Sequence, residues 1–288
     1  TAEDASGLLY YVARQMRENA LLHRRLRLPA LKREDLAGDP YIVFLDWLGT
    51  VEQSIGQRLI MLNLDEFERL EEMTQEGRLD QRIFNWLRGL IQHHPKLVVL
   101  FSGSHTLEDL APFWSDYLIS VRVLRVGPLE EGEARELIVE PKEDFPLRYE
   151  EEAVERIITA TGRQPYLIQA TCRDLVNHLN EDRRLQATVR DVEWALESCM
   201  VSGAGYFQEL WAGRDSDETQ QAVLLAVAKD TEGALSDSTL ARRIGRQGLP
   251  AALRRLVHRE ILERSNGVYR FRVELIRRWV QKEVLTAS

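Results

Sequence analysis

Asp65 and Glu66 are adjacent carboxylates that close a short apolar run, Ile60-Met61-Leu62-Asn63-Leu64. A run this short, bounded by charge, is expected to form a buried parallel strand rather than a helix. The pair then falls at the strand's carboxyl end, where open α/β sheets bind ligands. There Asp65 is suited to hold Mg²⁺ through water, and Glu66 to polarise an attacking water beside a γ-phosphate. The plainer account of the same residues is a core strand running into an acidic helix start.

A second apolar run, Leu97 to Phe101, ends on Ser102-Gly103-Ser104-His105. A hydroxyl at the end of a neighbouring strand can hydrogen-bond a γ-phosphate or the lytic water. Ser104 is the first choice for that role, because Gly103 releases the chain before it, and Ser102 is the second. Helix capping for the segment beginning at Leu107 explains the same serines equally well. Further on, Gly162-Arg163-Gln164-Pro165-Tyr166 joins two expected helices. Gly162 permits a left-handed turn and Pro165 suits a first helical turn, so a structural account suffices on local grounds. A phosphate-binding G-x-x-x-x-G-K-[ST] loop is missing: no Gly-Lys pair occurs in these 288 residues. Gly203-Ala204-Gly205 has the glycines but continues into Tyr206-Phe207.

The elements that must position these residues follow from periodicity. Helical stripes run through 4–24, 44–55 and 79–91, and Val121 to Val126 alternates as a third strand. Strand, helix, strand, helix, strand at this spacing indicates a parallel sheet with crossover helices. From Pro128 the pattern is all-helical, with helices expected over 130–139, 150–161 and 165–179, and a capped start at Thr188. The remainder differs again. Ser216 and Ser236 are expected to cap two helices, 249–259 forms a third, and Ile261 to Val273 alternates around the hairpin signal Ser265-Asn266-Gly267. Three helices and a β-ribbon indicate a winged helix-turn-helix. The expected domains are 1–127, an α/β core; 128–213, a helical lid; and 214–288, the winged helix.

Composition narrows the function classes. The chain carries a net charge of −8, but the residues from Ser216 onward sum to +4 and those before it to −12. An acidic body with a basic tail argues against a protein that coats nucleic acid along its whole length. No apolar run approaches the roughly 18 residues of a membrane span, and no signal-peptide pattern is present. Cys172 and Cys199 lack a CxxC context and are expected to be reduced thiols of a cytoplasmic protein. The histidines, His93-His94 included, form no ligand cluster.

Taken in order, Asp65-Glu66-Phe67-Glu68, Phe101 to His105, Gly127-Pro128-Leu129 with Glu133-Ala134, and Gly162 to Tyr166 resemble a prokaryotic STAND-type AAA+ P-loop ATPase, near the archaeal ATPase and origin-recognition lineages. The resemblance covers nearly the whole chain and makes Asp65-Glu66 a Walker B pair. It implies an α/β P-loop NTPase core followed by a helical lid and a winged helix, with ATP or ADP and Mg²⁺ as ligands. Asp65 would be the metal residue, Glu66 the water-orienting base, and Ser104 or Ser102 sensor 1. Gly162, Arg163, Pro165 and Tyr166 would pack on adenine, with Arg163 reaching phosphate. A first strand, the P-loop and a second strand are then expected upstream of Thr1, and ATP hydrolysis belongs to the intact protein rather than to these residues alone.

The implied biology is a switch that self-associates on activation, with effector or sensor domains elsewhere in the full-length chain. Arg254, Arg255, His258 and Arg259 on the third helix, with Arg264, Arg270 and Arg272 around the hairpin, make one basic face. It is expected to latch onto the acidic body; the alternative is phosphate contact in a DNA-binding ATPase or regulator. A scaffold without a P-loop is the non-enzymatic alternative.

Overall fold

Ile60–Asp65 forms β1 and Leu97–Ser102 forms β2. They pair in parallel, with Ile60 opposite Leu97 and Asp65 opposite Ser102. The computed structural model of the protein describes residues 4–103, 114, 117–118, 121–213 and 216–285. Two compact units divide the chain, Thr1–Val123 and Leu124–Ser288.

In the first unit, α1 (Ala5–Arg24) and α2 (Pro40–Ser54) precede the sheet, and α3 (Arg69–Gln75) and α4 (Arg82–His93) form the crossover between its strands. Asp4 and Asp39 start the first two helices by accepting backbone N–H bonds, and Pro40 sits in the first turn where a missing N–H costs nothing. Ile83, Phe84, Trp86, Leu87 and Leu90 recur at helical spacing and give α4 one buried face. With Phe44, Leu48 and Val51 of α2 they build an apolar core against one side of the sheet, where Leu62 and Leu97 are buried.

The sheet departs from expectation on its other side. Side chains alternate along a strand, and Met61, Val98 and Leu100 stand 65%, 45% and 45% exposed. The strands are therefore half-buried, not buried on both faces, because nothing among the described residues covers that side. Val121 to Val126 also corrects the sequence reading, since no strand forms there. A strand persists only where a neighbour completes its hydrogen-bond ladder. Val123 and Val126 are exposed instead.

The second unit begins with α5 (Glu131–Val139), α6 (Glu151–Thr161), α7 (Pro165–Glu181), α8 (Val189–Ser202) and α9 (Ala204–Ala212). A short parallel pair, β3 (Arg148–Tyr149) with β4 (Gln186–Ala187), ties two of the connections. Then come α10 (Glu218–Lys229), β5 (Ala234–Ser236), α11 (Asp237–Ile244) and α12 (Leu249–His258). β6 (Leu262–Ser265), β7 (Val268–Phe271) and α13 (Glu274–Trp279) close the module. Its antiparallel sheet has the order β5-β7-β6, and Asn266 and Gly267 turn the hairpin with φ of +52° and +77°. Asp217, not Ser216, caps α10, its carboxylate accepting from Gln220 N. Ser216 instead donates to the Trp211 carbonyl and ends the preceding helix. One apolar cluster runs from Ala134 to Val280, so the five helices and the C-terminal module share a core across residue 213. Among the described residues, no helix is long and apolar enough to cross a membrane.

Candidate active site

Two strand ends meet in the first unit. Because the register sets Asp65 opposite Ser102, both side chains leave on the same face of the sheet. Ser102 Oγ donates to Asp65 Oδ1 at 2.7 Å. The same oxygen accepts the Glu66 backbone N–H at 3.1 Å, and Phe67 N–H donates to the Ser102 carbonyl at 3.2 Å. The turn after β1 is thereby stitched to the last residue of β2. Asp65 is presented with its orientation already set, in solvent, where a hard oxygen ligand for Mg²⁺ is useful.

Glu66 lies at φ +50°. A left-handed conformation is costly for a residue with a Cβ and is concentrated at functional turns. It swings the Glu66 side chain out of the strand into solvent, two-thirds exposed, with Arg69 3.9 Å away. Next to it, Phe67 is buried edge-on against Phe101 and Trp114, at centroid distances of 5.7 and 5.3 Å. One residue of the turn is thus anchored while its predecessor projects. A Cβ at Gly103 would lie 2.0 Å from Glu68 Oε2 and 3.0 Å from Phe67 Cδ1, so the Glu68 carboxylate would have to move to admit one.

Of the two serines weighed as the hydroxyl partner, Ser102 is the one beside Asp65. Ser104 lies outside the described residues. β1 and β2 are both six residues long, and their pairing sets the last residues, Asp65 and Ser102, in register, which no local feature of the sequence specifies. His93 and His94 hold no metal cluster; His94 Nδ1 lies 3.1 Å from Glu52 Oε2, and the described residues contain no group of three candidate ligands.

A separate constellation occupies the second unit. Gly162 closes α6 at φ +58°, and Arg163 follows at φ +63°. The Arg163 carbonyl accepts from Leu129 N at 3.0 Å. A cavity of about 340 Å³ opens beside this turn, lined by Gly162, Arg163, Ile158, Glu131, Glu263 and Arg272 among others. Pro165 and Tyr166 do not line it. Pro165 starts α7, and Tyr166, half exposed, stacks on Tyr206 at 4.6 Å. Gly162 also has a packing duty, since a Cβ would meet Val273 Cγ2 at 2.9 Å and the Arg272 carbonyl at 3.1 Å.

The basic residues of the C-terminal module are largely engaged. Arg255 pairs with Asp217 at 3.3 Å, Arg264 with Asp237 at 3.1 Å, Arg270 with Glu263 at 3.5 Å and Arg272 with Glu260 at 3.6 Å. Arg259 donates to Gln220 Oε1 and the Leu210 carbonyl. His258 is half-buried, and Arg254 is exposed on α12.

No protein-family model matches the chain, and neither does any curated protein. Solved structures do. The Walker-type ATPase PABY2304 of Pyrococcus abyssi superposes with a TM-score of 0.63 at 14% identity, over 96% of this chain and 78% of that one. The ORC2 protein of Aeropyrum pernix, solved as ADPNP and ADP complexes, gives 0.53 at 13% identity, over 100% and 77%. The chain shares the fold of these two proteins. The Asp65-Glu66 pair and Ser102 stand at the carboxyl edge of a parallel strand pair, where open α/β sheets place ligands.

Proposed function

We propose that Asp65, Glu66 and Ser102 form the hydrolytic end of an ATP site in a STAND-type molecular switch. The observation that carries this reading is the Ser102–Asp65 hydrogen bond at adjacent parallel strand ends. The ADPNP and ADP complexes of the ORC2 neighbour support a nucleotide as the ligand. Asp65 would hold Mg²⁺ through water, and the ion would supply neutralisation of phosphate charge. Glu66, free of the strand, would orient the attacking water, while Ser102 fixes the Asp65 carboxylate. Gly162 and Arg163 are read as the part of the lid that meets the nucleotide, with Pro165 and Tyr166 setting the start of its next helix. These 288 residues hold no Gly-Lys pair, so the reading requires a phosphate cradle from outside them.

The order helix, strand, helix, helix and hairpin from 218 to 271 is read as a winged helix-turn-helix that serves as the regulatory latch. The switch would self-associate on activation, in the cytoplasm, under effector or sensor domains elsewhere in the full-length protein. Arg254, exposed on the helix that would face a groove, favours DNA contact as the second reading. The test is steady-state turnover and ATP retention by the intact protein. Glu66→Gln should keep ATP bound and leave it unhydrolysed, because the metal residue is untouched, whereas Asp65→Ala should weaken Mg²⁺-ATP binding itself. Wild-type turnover in Glu66→Gln would sink the assignment.

A further inference from the structure

In the second unit, ionic and apolar contacts connect the helices before residue 213 to the module after it. Arg156 of α6 makes a two-pronged contact with Glu274 of α13, at 2.9 and 2.6 Å, and also bonds Glu193 of α8. Arg278 of α13 closes the ring, reaching Glu193 at 2.8 Å and Glu274 at 2.7 Å. Two acids and two bases balance, and Arg156 is only 17% exposed. Such a closed, partly desolvated ring holds geometry better than isolated surface pairs do.

The apolar contacts agree. Val273 is fully buried and lies against the Gly162 turn. Trp279 stacks on Phe207 of α9 at 5.7 Å, with the rings 12° from parallel. All belong to the single core that crosses residue 213. A flexible joint needs few buried contacts, and the described residues on either side of this junction share many.

We propose that the helices from 131 to 212 and the C-terminal module from 218 to 284 move as one rigid arm, locked by the Arg156–Glu193–Arg278–Glu274 ring and by Val273 against Gly162. No hinge then operates at the 213 junction, and a conformational change in this part of the molecule carries both pieces together. A consequence is that the Gly162–Arg163 turn is held from the module side: a shift of Val273 displaces the turn directly. The inference does not depend on ATP binding.

The experiment places spin labels on the 288-residue chain at two exposed positions, Glu152→Cys in α6 and Arg246→Cys between α11 and α12. The two native thiols, partly buried Cys172 and buried Cys199, are replaced by alanine so that only the introduced cysteines carry label. Pulsed dipolar spectroscopy without nucleotide should give one narrow distance peak. Adding Arg156→Gln with Glu274→Gln removes one base and one acid, leaves Glu193 paired with Arg278, and should broaden that peak while far-UV helicity is kept. A broad or two-peaked distribution in the wild-type background overturns the rigid arm, and needs no variant to be seen. A peak equally narrow after the ring is cut overturns the ring as its lock. Failure of the ATP reading would leave both outcomes unchanged, since no nucleotide is present.

Discussion

Glu66 is where local stability and the proposed chemistry pull in opposite directions. Its φ of +50° is the conformation a Cβ resists and glycine accepts. The turn tolerates this because Phe67 is pinned in the aromatic cluster and Ser102 holds both Asp65 and the Phe67 amide. Glu66→Gly should therefore raise the unfolding free energy by about 0.5–1 kcal/mol. In the intact protein it should also abolish ATP turnover. Denaturant unfolding of the isolated chain beside turnover of the whole protein tests both halves. A loss of stability in Glu66→Gly would show that the side chain, not the backbone, holds the turn.

At the scale of elements, α8 shows how one buried carboxylate starts a helix. Asp191 accepts from Thr188 N–H and Thr188 Oγ and receives both terminal nitrogens of Arg184, at 3.0 and 2.6 Å. Thr188 returns the favour to the Asp191 amide, completing a capping box. The Arg184 bonds hold the Asp191 carboxyl well below its ordinary value of 3.8, against burial, which pushes the other way. A depressed folded value makes this a contribution that is complete above pH 3.8 and is lost as pH falls through the folded value. Asp191→Ala should cost about 2–4 kcal/mol at neutral pH. The penalty should shrink in acid below the ordinary aspartate range, and parallel urea titrations at the two pH values measure it. A penalty equal at both would mean that Asp191 acts by shape rather than charge. Glu193 and Glu274 are also lowered by Arg156 and Arg278, although burial raises both, so acid should loosen the ring as well.

Among its described residues, the first unit is a parallel pair of strands covered on one side. Parallel sheets are ordinarily covered on both, and the bare face carries Met61, Val98 and Leu100 below the Asp65–Ser102 end. In the proposed reading, that face and the missing phosphate cradle belong to the same absent surroundings. The backbone amides and lysine of a P-loop supply most of the affinity for phosphate. Calorimetric titration of Mg²⁺-ATP into these 288 residues alone should accordingly show no sub-micromolar site. A tight constant would place the cradle within these 288 residues and would require the site to be redrawn.

Sequence by itself determined what depends on neighbours along the chain. The stripes of α1, α2, α4 and α6 to α8, the Thr188 cap, the Gly162 stop and the Asn266-Gly267 hairpin were legible because helical and strand periodicities and turn chemistry act over a few residues. So was the position of Asp65 at a strand end. Tertiary structure decided everything that needed a distant partner. Ser102 was selected by the register of β1 on β2, 37 residues apart. The left-handed Glu66 had no local signal, since glutamate is not the residue such a turn prefers. Val121 to Val126 has strand alternation and no strand, because a ladder needs a second chain segment beside it. Of the basic face read from Arg254, Arg255, His258, Arg259, Arg264, Arg270 and Arg272, the structure pairs Arg255, Arg264, Arg270 and Arg272 with acids lying far off or across the hairpin. Arg156, one exposed-looking charge on an amphipathic helix, became the centre of a ring with a glutamate 118 residues away. Periodicity tells which face of an element is apolar; which faces meet, and which charges are neutralised when they do, is settled only when the chain closes on itself.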